Sequence, residues 1–348
     1  MSFFDFNYKA VNWTRGIWTV ITVVGAVLII FLTGEPVAIW AGAGGMAIGL
    51  VYFNAPIETR LKFGVGLTIF GALSLGAILA FGGTTISSAL ILAVVIFAVG
   101  IMQSLGGPFI AAGFLVGILA LNAVVAAGGS MDATWAMGSY ALGGLLAMVI
   151  VVIINAIRGA PPVETSIKSL QNVPSRTLSR LRPSSYWFQF ALIRAIAVGL
   201  AVYLGLTFFG DRWMWMAATT FLIVTPAWPL SMMSTLQRLA GNVIGLAIIG
   251  LIGLAFGADP NALLDLGFFL LATLIAFAFI GAGTVPMVIT WTVWAFAMER
   301  VINPEPFFID VLGERFLAIL AGAGLAIVTA YILTKLRQAR KEPDEQES

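Results

Sequence analysis

Long, continuous apolar runs fill most of the chain, and short segments of Gly, Pro, Asn or charged residues separate them. About 20 apolar residues in a helix are enough to cross the hydrocarbon core of a bilayer. Continuous runs favour helices over membrane β-strands, in which apolar and polar residues alternate. We predict an all-α integral membrane protein with about twelve transmembrane helices, at residues 14–32, 36–53, 61–81, 86–105, 109–127, 133–157, 190–209, 213–230, 239–256, 262–280, 285–301 and 311–334.

Composition excludes most soluble and enzymatic functions. The chain has 348 residues, of which 60% are hydrophobic and 10% charged, and its mean hydropathy is +1.02. Soluble proteins are about one quarter charged, so we exclude a soluble enzyme and a nucleic-acid-binding module. The chain has no cysteine and no histidine, which excludes disulfides, Cys/His metal sites and His-dependent catalysis. We therefore expect no enzymatic activity, no cofactor and no metal.

The positive charges orient the predicted helices. With twelve spans, both termini and the even-numbered connections lie on one side of the membrane. That side carries 15 of the 18 basic residues, and by the positive-inside rule it is cytoplasmic. The basic residues on it are Lys9, Arg15, Arg60, Lys62, Arg158, Lys168, Arg176, Arg180, Arg182, Arg194, Arg238, Lys335, Arg337, Arg340 and Lys341.

The two halves of the chain are similar to each other. Arg15 to Arg158 and Arg194 to Arg337 each span 144 residues, and the two segments superpose at an offset of 179. Because each half holds six helices, an even number, both halves enter the membrane from the same side, which makes them parallel repeats. Two such units side by side predict a transport pathway at or near their seam.

These features divide the chain into five parts. We predict an interfacial N-terminal segment, a first six-helix repeat, a cytoplasmic linker, a second six-helix repeat and a disordered cytoplasmic tail. Their bounds are 1–13, 14–157, 158–189, 190–334 and 335–348. A short helix in the linker is expected around residues 164–171.

The seventh to ninth predicted helices carry the most specific motif in the chain. It combines an arginine that opens a helix, a Trp-led helix that ends near a proline, and a basic residue before a glycine-spaced helix: Arg194, Trp213, Trp215, Pro226, Thr235–Leu239, Gly241 and Gly245. This pattern resembles the fusaric acid resistance (FUSC-like) family. The resemblance implies a bacterial-type inner-membrane exporter of aromatic or other organic carboxylic acids, which in some members works with a periplasmic adaptor protein.

Two arginines at matching positions are candidate anion contacts. Arg60 and Arg238 stand at the cytoplasmic starts of the third and ninth predicted helices. A guanidinium is permanently charged and can bind a carboxylate with two hydrogen bonds. The alternative is that both residues merely satisfy the positive-inside rule and extend to lipid headgroups.

A charged group flanks the connection between the last two predicted helices. Glu299 and Glu314 are candidate proton carriers and Arg315 is a candidate anion contact, because a charge within the membrane is costly unless it has a function. With no histidine in the chain, any proton carrier has to be a carboxylate. The alternative is a salt-bridge cluster at the outer interface that also includes Arg300.

Glycine-proline breaks interrupt corresponding apolar segments of the two halves. Pro108 follows Gly106-Gly107, and Pro286 follows a similar break at residues 281–285. Unwound backbone at equivalent positions of two repeats points to a binding site, and a plain connecting turn is the alternative. Gln103 is expected either to line the same cavity or to bond a neighbouring helix, as is Asn122.

The leading hypothesis is secondary efflux of organic anions, most of all aromatic carboxylates, driven by the proton gradient. The alternative is a passive organic-anion channel, because the chain also resembles, more distantly, aluminium-activated malate transporter channels. A third possibility is a membrane assembly component that recruits soluble partners through the linker. The expected partners are the lipid bilayer, a small organic anion and, by resemblance, a periplasmic adaptor.

Overall fold

A computed structural model describes most of the chain. The described residues are 6–31, 38–49, 56–127, 132–158, 172–210, 213–224, 232–256, 261–302 and 309–340. Within these ranges nearly all of the backbone is helical and no β-strand is present, which confirms the all-α prediction.

Thirteen α-helices lie in the described ranges. They are α1 (Trp13–Phe31), α2 (Ala38–Gly49), α3 (Ile57–Phe81), α4 (Thr85–Gln103), α5 (Pro108–Ala127), α6 (Ala133–Arg158), α7 (Val173–Arg180), α8 (Tyr186–Phe208), α9 (Trp213–Ile223), α10 (Met232–Phe256), α11 (Ala262–Ala278), α12 (Thr284–Ile302) and α13 (Ile309–Arg340).

Six of these helices are long and apolar enough to cross a membrane by length and composition: α3, α4, α6, α8, α10 and α13. Four more, α5, α9, α11 and α12, are apolar over a shorter described stretch. A multi-pass membrane protein is therefore supported. The total of twelve spans stays a prediction.

Most helix pairs that pack together among α1–α6, the first set, have counterparts among α8–α13, the second set. In the first set α2 contacts α1 and α6, α3 contacts α5 and α6, and α4 contacts α5. In the second set α9 contacts α8 and α13, α10 contacts α12 and α13, and α11 contacts α12. Between the sets, α4 packs on α8 and α1 packs on α11.

The N-terminal segment rests on the turn between α11 and α12. The backbone N–H of Asn7 donates to the Ala282 carbonyl over 2.8 Å, and that of Asn12 donates to the Ala278 carbonyl over 2.8 Å. The Phe6 ring stacks on the Phe279 ring with centroids 5.9 Å apart. These contacts attach residues 6–12 to the second set of helices.

Most predicted spans agree with the helix bounds to within four residues, and three bounds differ by more. Helix α9 ends at Ile223 instead of residue 230, because Pro226 disfavours helical backbone at the residue before it. Helix α10 begins at Met232 instead of residue 239, because polar residues such as Gln237 continue a helix although they interrupt an apolar run.

The carboxyl-terminal boundary is the third difference. The tail was predicted to be disordered from residue 335, but α13 continues to Arg340. Lys335 and Arg337 are good helix formers, and cations at a helix C-terminus interact favourably with its dipole. Residues 341–348 lie outside the described residues, as does the predicted linker helix at 164–171; the described part of the linker contains α7.

Backbone N–H groups at the start of α6 are capped by Asp132. Thr134 and Trp135 donate to its Oδ1 over 2.7 and 3.1 Å. The hydrogen bonds from Trp135 and Thr134 hold the pKa of the Asp132 carboxyl below its usual range. The cap fixes where α6 begins, next to the packed interface between α2 and α6.

Helices α2 and α6 approach so closely that glycine is required between them. A Cβ atom at Gly143 would overlap the carbonyl oxygen of Ala41, whereas a Cβ atom at Gly138, on the same helix, would meet nothing within 4 Å. Close backbone approach through small residues is the usual packing of membrane helices.

We predict that Gly143→Ala lowers the free energy of unfolding by roughly 1–3 kcal/mol, because the added methyl group forces α2 and α6 apart. The matched variant Gly138→Ala should leave it unchanged or raise it by up to about 1 kcal/mol through better helix propensity. Thermal unfolding of the purified protein measures both. Equal effects of the two variants would contradict this packing.

Candidate functional site

Helix α9 is a short helix buried in the protein. Its 11 residues extend over about 16 Å, less than the thickness of a bilayer core. Nearly all of its residues are buried, from Trp213 to Ile223. The last carbonyl groups of a helix have no partners within the helix, so the end of α9 presents acceptors that other elements have to satisfy.

Arg194 of α8 reaches this helix end. Its side chain is fully buried. Nη2 donates to the carbonyl of Phe221 over 3.0 Å, and the guanidinium lies 4.2 Å from the centroid of the Phe221 ring. Nη1 donates to Oε1 of Gln103 on α4. One side chain therefore connects α8, the end of α9, and α4 of the other set.

Arg238 of α10 binds the same helix end. It is 1% exposed, and its Nη1 donates to the carbonyls of Leu222, at 3.3 Å, and Ile223. Arg194 and Arg238 donate to neighbouring carbonyls of one helix end, so their positive charges repel each other. The negative end of the helix dipole partly offsets two positive charges, which leaves this place positive within an apolar surrounding.

Gln103 and Pro108 belong to the turn that lies against this cluster. Gln103 is 1% exposed and donates from Nε2 to the Ile110 carbonyl over 3.1 Å. Gly106 and Gly107 adopt left-handed backbone with φ of 77° and 54°, which glycine accepts without strain. The break before Pro108 is thus a tight turn between α4 and α5. Asn122, by contrast, donates to the Ile118 carbonyl of its own helix.

Two other predicted residues lie elsewhere. Arg60 is 3% exposed and donates from Nη2 to Oδ1 of Asn155 over 2.9 Å, at the interface of α3 and α6. Pro286 is half-buried in the first turn of α12. Near it, Arg15 donates to the carbonyl of Ile280 over 3.2 Å. The structure brings Gln103 and Arg238 together at the end of α9. Arg60 and Pro286 do not lie there.

Arg315 lies towards the opposite end of α9. It is 4% exposed, and its guanidinium is 5.3 Å from the ring of Trp215 and 4.8 Å from the ring of Phe296. Cations bind favourably over aromatic faces. Arg315 therefore packs between α9, α12 and α13.

The other charged residues of the predicted outer group do not form one cluster with Arg315 among the described side chains. Glu314 is exposed, and the side chain of Glu299 lies outside the described side chains. Arg300 binds Asp265 of α11 with two hydrogen bonds, Nε to Oδ1 at 2.7 Å and Nη2 to Oδ2 at 3.3 Å. Arg300 is thus engaged with α11.

The electrostatics of Arg194 distinguish it from Arg300. The Nε–H of Arg194 is buried and has no hydrogen-bond acceptor among the described residues. Arg194 also makes no ion pair with any of those residues. A buried charge is costly unless it is paired and fully hydrogen-bonded. The arrangement has the chemistry to bind an anion at Arg194.

Sequence reasoning used Arg194 as a landmark of the repeat and of the family motif, but did not include it among the binding residues. Its signal was present, since it is an arginine eight residues inside an apolar helix, flanked by Ile193 and Ala195. A charge at such depth is by itself a functional indication.

We predict that Gln103→Leu lowers the free energy of unfolding by about 1.5–3 kcal/mol, since Arg194 loses an acceptor for a charged donor. The matched variant Asn122→Leu should cost less than about 1 kcal/mol, because the Ile118 carbonyl also accepts within its own helix. Chemical or thermal unfolding of the purified variants gives the comparison. A cost for Asn122→Leu as large as that for Gln103→Leu would contradict the role given to Arg194.

A comparison with known protein families finds a match in the second half of the chain. Residues 196–329 match the family model described as fusaric acid resistance protein-like. No curated protein and no solved structure matches the chain. Together with the apolar helices, the match indicates a membrane transporter. The match confirms the predicted resemblance to this family for residues 196–329.

Proposed function

We propose that this protein is a secondary exporter of organic anions, with aromatic carboxylates as the expected class, and that the substrate carboxylate binds Arg194 and Arg238 at the end of α9. One observation carries the proposal: the fully buried Arg194 keeps an Nε–H with no acceptor among the described residues. A carboxylate would supply this acceptor and compensate the buried charge.

Aromatic rings around Arg194 suit the expected substrate class. The Phe221 and Phe190 ring centroids lie 4.2 and 6.0 Å from its guanidinium carbon. Phe114 meets Phe221 edge to face, with centroids 5.8 Å apart. A ring attached to the bound carboxylate would find apolar and aromatic surface beside the guanidinium.

Arg315 gives the proposed pathway a second position. It stacks on Trp215, which precedes Phe221 by six residues, or about 9 Å along α9. Because arginines stand towards both ends of this short helix, we place the anion pathway along α9. Arg60 of the first set and Pro286 of the second set, which lie elsewhere, remain predicted anion contacts.

The two sets of helices are proposed to be parallel repeats that complete twelve spans, with both termini cytoplasmic in a bacterial-type inner membrane. Two observations on packing support this. Most helix pairs of one set have counterparts in the other, and the contact of α4 with α8 corresponds to the contact of α11 with α1. The arginines follow the same relation, since Arg15 of α1 donates to Ile280 after α11 and Arg194 of α8 donates to Gln103 of α4. A periplasmic adaptor is proposed from the family resemblance.

We predict that Arg194→Gln reduces efflux of a radiolabelled benzoate-type acid roughly ten- to a hundredfold, as does Arg238→Gln. Hydrogen bonds to charged groups contribute about 1.5–3 kcal/mol, and 1.4 kcal/mol is about tenfold. Arg194→Lys, which keeps the charge but not the fork of donors, should fall between them and the wild type.

Arg300→Gln is the matched control, since it also removes a largely buried arginine but one that binds Asp265. It should lower thermal stability and keep most of the efflux per folded molecule. Normal efflux by folded Arg194→Gln protein would contradict the proposed site. Equal efflux of acids and their uncharged esters would contradict the substrate class.

The proton is proposed to travel through Glu314 and Glu299. Glu314 is exposed and adjoins the buried Arg315, so its protonation would change the local charge beside the proposed pathway.

We predict that efflux by Glu314→Gln no longer responds to the proton gradient but still follows a substrate gradient, and likewise for Glu299→Gln. Glu58→Gln, an exposed carboxylate paired with Lys62 at 2.6 Å, is the control and should respond as the wild type does. Proteoliposomes with an imposed pH difference allow the measurement. Large unitary currents without proton dependence in a planar bilayer would identify a channel instead.

A further inference from the structure

The first set of helices encloses a small cavity that is separate from the end of α9. It lies where α2, α3, α5 and α6 meet and has room for about one water molecule. Trp40, Ser74, Ala120 and Tyr140 are among the residues that line it, and no charged residue does. A charged ligand is therefore unsuited to it, and its size excludes any organic molecule.

The hydroxyl group of Tyr140 belongs to this cavity. Tyr140 is 1% exposed, and its Oη has no hydrogen-bond partner in the described part of the chain. A Cβ atom at Gly71 would overlap this oxygen, and Gly71 itself lines the cavity. The hydroxyl thus lies at the cavity wall, buried in an apolar surrounding where an unbonded polar group is costly.

Two further hydroxyl groups of α3 lie at its interface with α6. Ser74 is 7% exposed and lines the cavity, one turn after Gly71. One turn before Gly71, the Oγ1 atom of Thr68 is buried with no hydrogen-bond partner in the described residues. A polar strip on α3 therefore faces Tyr140 of α6.

We infer that the cavity binds a single water molecule that bridges Tyr140 Oη and Ser74 Oγ. A buried water needs space of its own size and at least two polar partners, and this cavity supplies both. The water satisfies the tyrosine hydroxyl and links α3 to α6. The inference is independent of the anion site, because it rests on residues of the first set alone.

The space between the corresponding helices of the second set is filled by different side chains. There the guanidinium of Arg315 on α13 lies over Trp215 of α9 and Phe296 of α12. Trp215 is the third residue of α9, as Trp40 is the third residue of α2. Where the second set places a cation, the first set keeps neutral hydroxyl groups and a water.

Thermal unfolding of Tyr140→Phe, Ser74→Ala and the double variant tests the inference. With a bridging water, each single variant leaves the water and the remaining hydroxyl short of a partner, so the melting temperature falls by about 2–4 °C. The double variant removes both partners and should fall by less than the sum of the two. Tyr203→Phe, on an exposed tyrosine of α8, should change nothing.

An empty cavity gives the opposite sign. In that case Tyr140→Phe removes a costly unbonded hydroxyl, so the melting temperature rises or stays unchanged, and the two substitutions add. Either result would overturn the inference. A structure at a resolution that shows ordered water gives the direct test: density between Tyr140 and Ser74 supports the bridge, and its absence contradicts it.

Discussion

A guanidinium in an apolar interior has to be surrounded by acceptors, and the surroundings of Arg194 organise much of this protein. Its hydrogen bonds reach the end of α9 and Gln103 of α4. Because α4 belongs to the first set of helices and α9 to the second, one buried charge joins the two sets. The charge also requires compensation that the described residues leave incomplete at Nε, which is why the same group that holds the seam is the proposed place for an anion.

The length of α9 is the second constraint, and it meets the first at the same helix end. A helix of 11 residues ends within the thickness of a membrane, and its last carbonyls would be costly to bury without donors. Arg194 and Arg238 provide those donors from two different helices. Arg315 stacks towards the other end. The two sets differ here, since Arg60 in the first set donates to the side chain of Asn155, whereas Arg238 in the second set donates to backbone carbonyls of α9.

The sequence was sufficient to predict the all-α fold and most helix bounds, because apolar runs are continuous and their interruptions are sharp. It was insufficient for α9, where apolar residues continue past Ile223 and the helix does not. It also missed the pairing of Arg300 with Asp265, because the two residues lie 35 positions apart and become neighbours only when α11 packs on α12. Gln103 was a candidate for its polarity within an apolar helix, and Arg238 for its position at a helix start that matches that of Arg60. Arg194, which donates to Gln103 and to the same end of α9 as Arg238, became visible only through the packing of α8 on α4.

The most direct measurement is the structure of the purified protein with a bound brominated benzoate, whose bromine locates the ligand by anomalous scattering. We predict its carboxylate at the guanidinium groups of Arg194 and Arg238, with the ring against Phe221, and loss of this density in Arg194→Gln. Benzoate bound elsewhere in the wild type, or bound unchanged in Arg194→Gln, would contradict the proposed anion site.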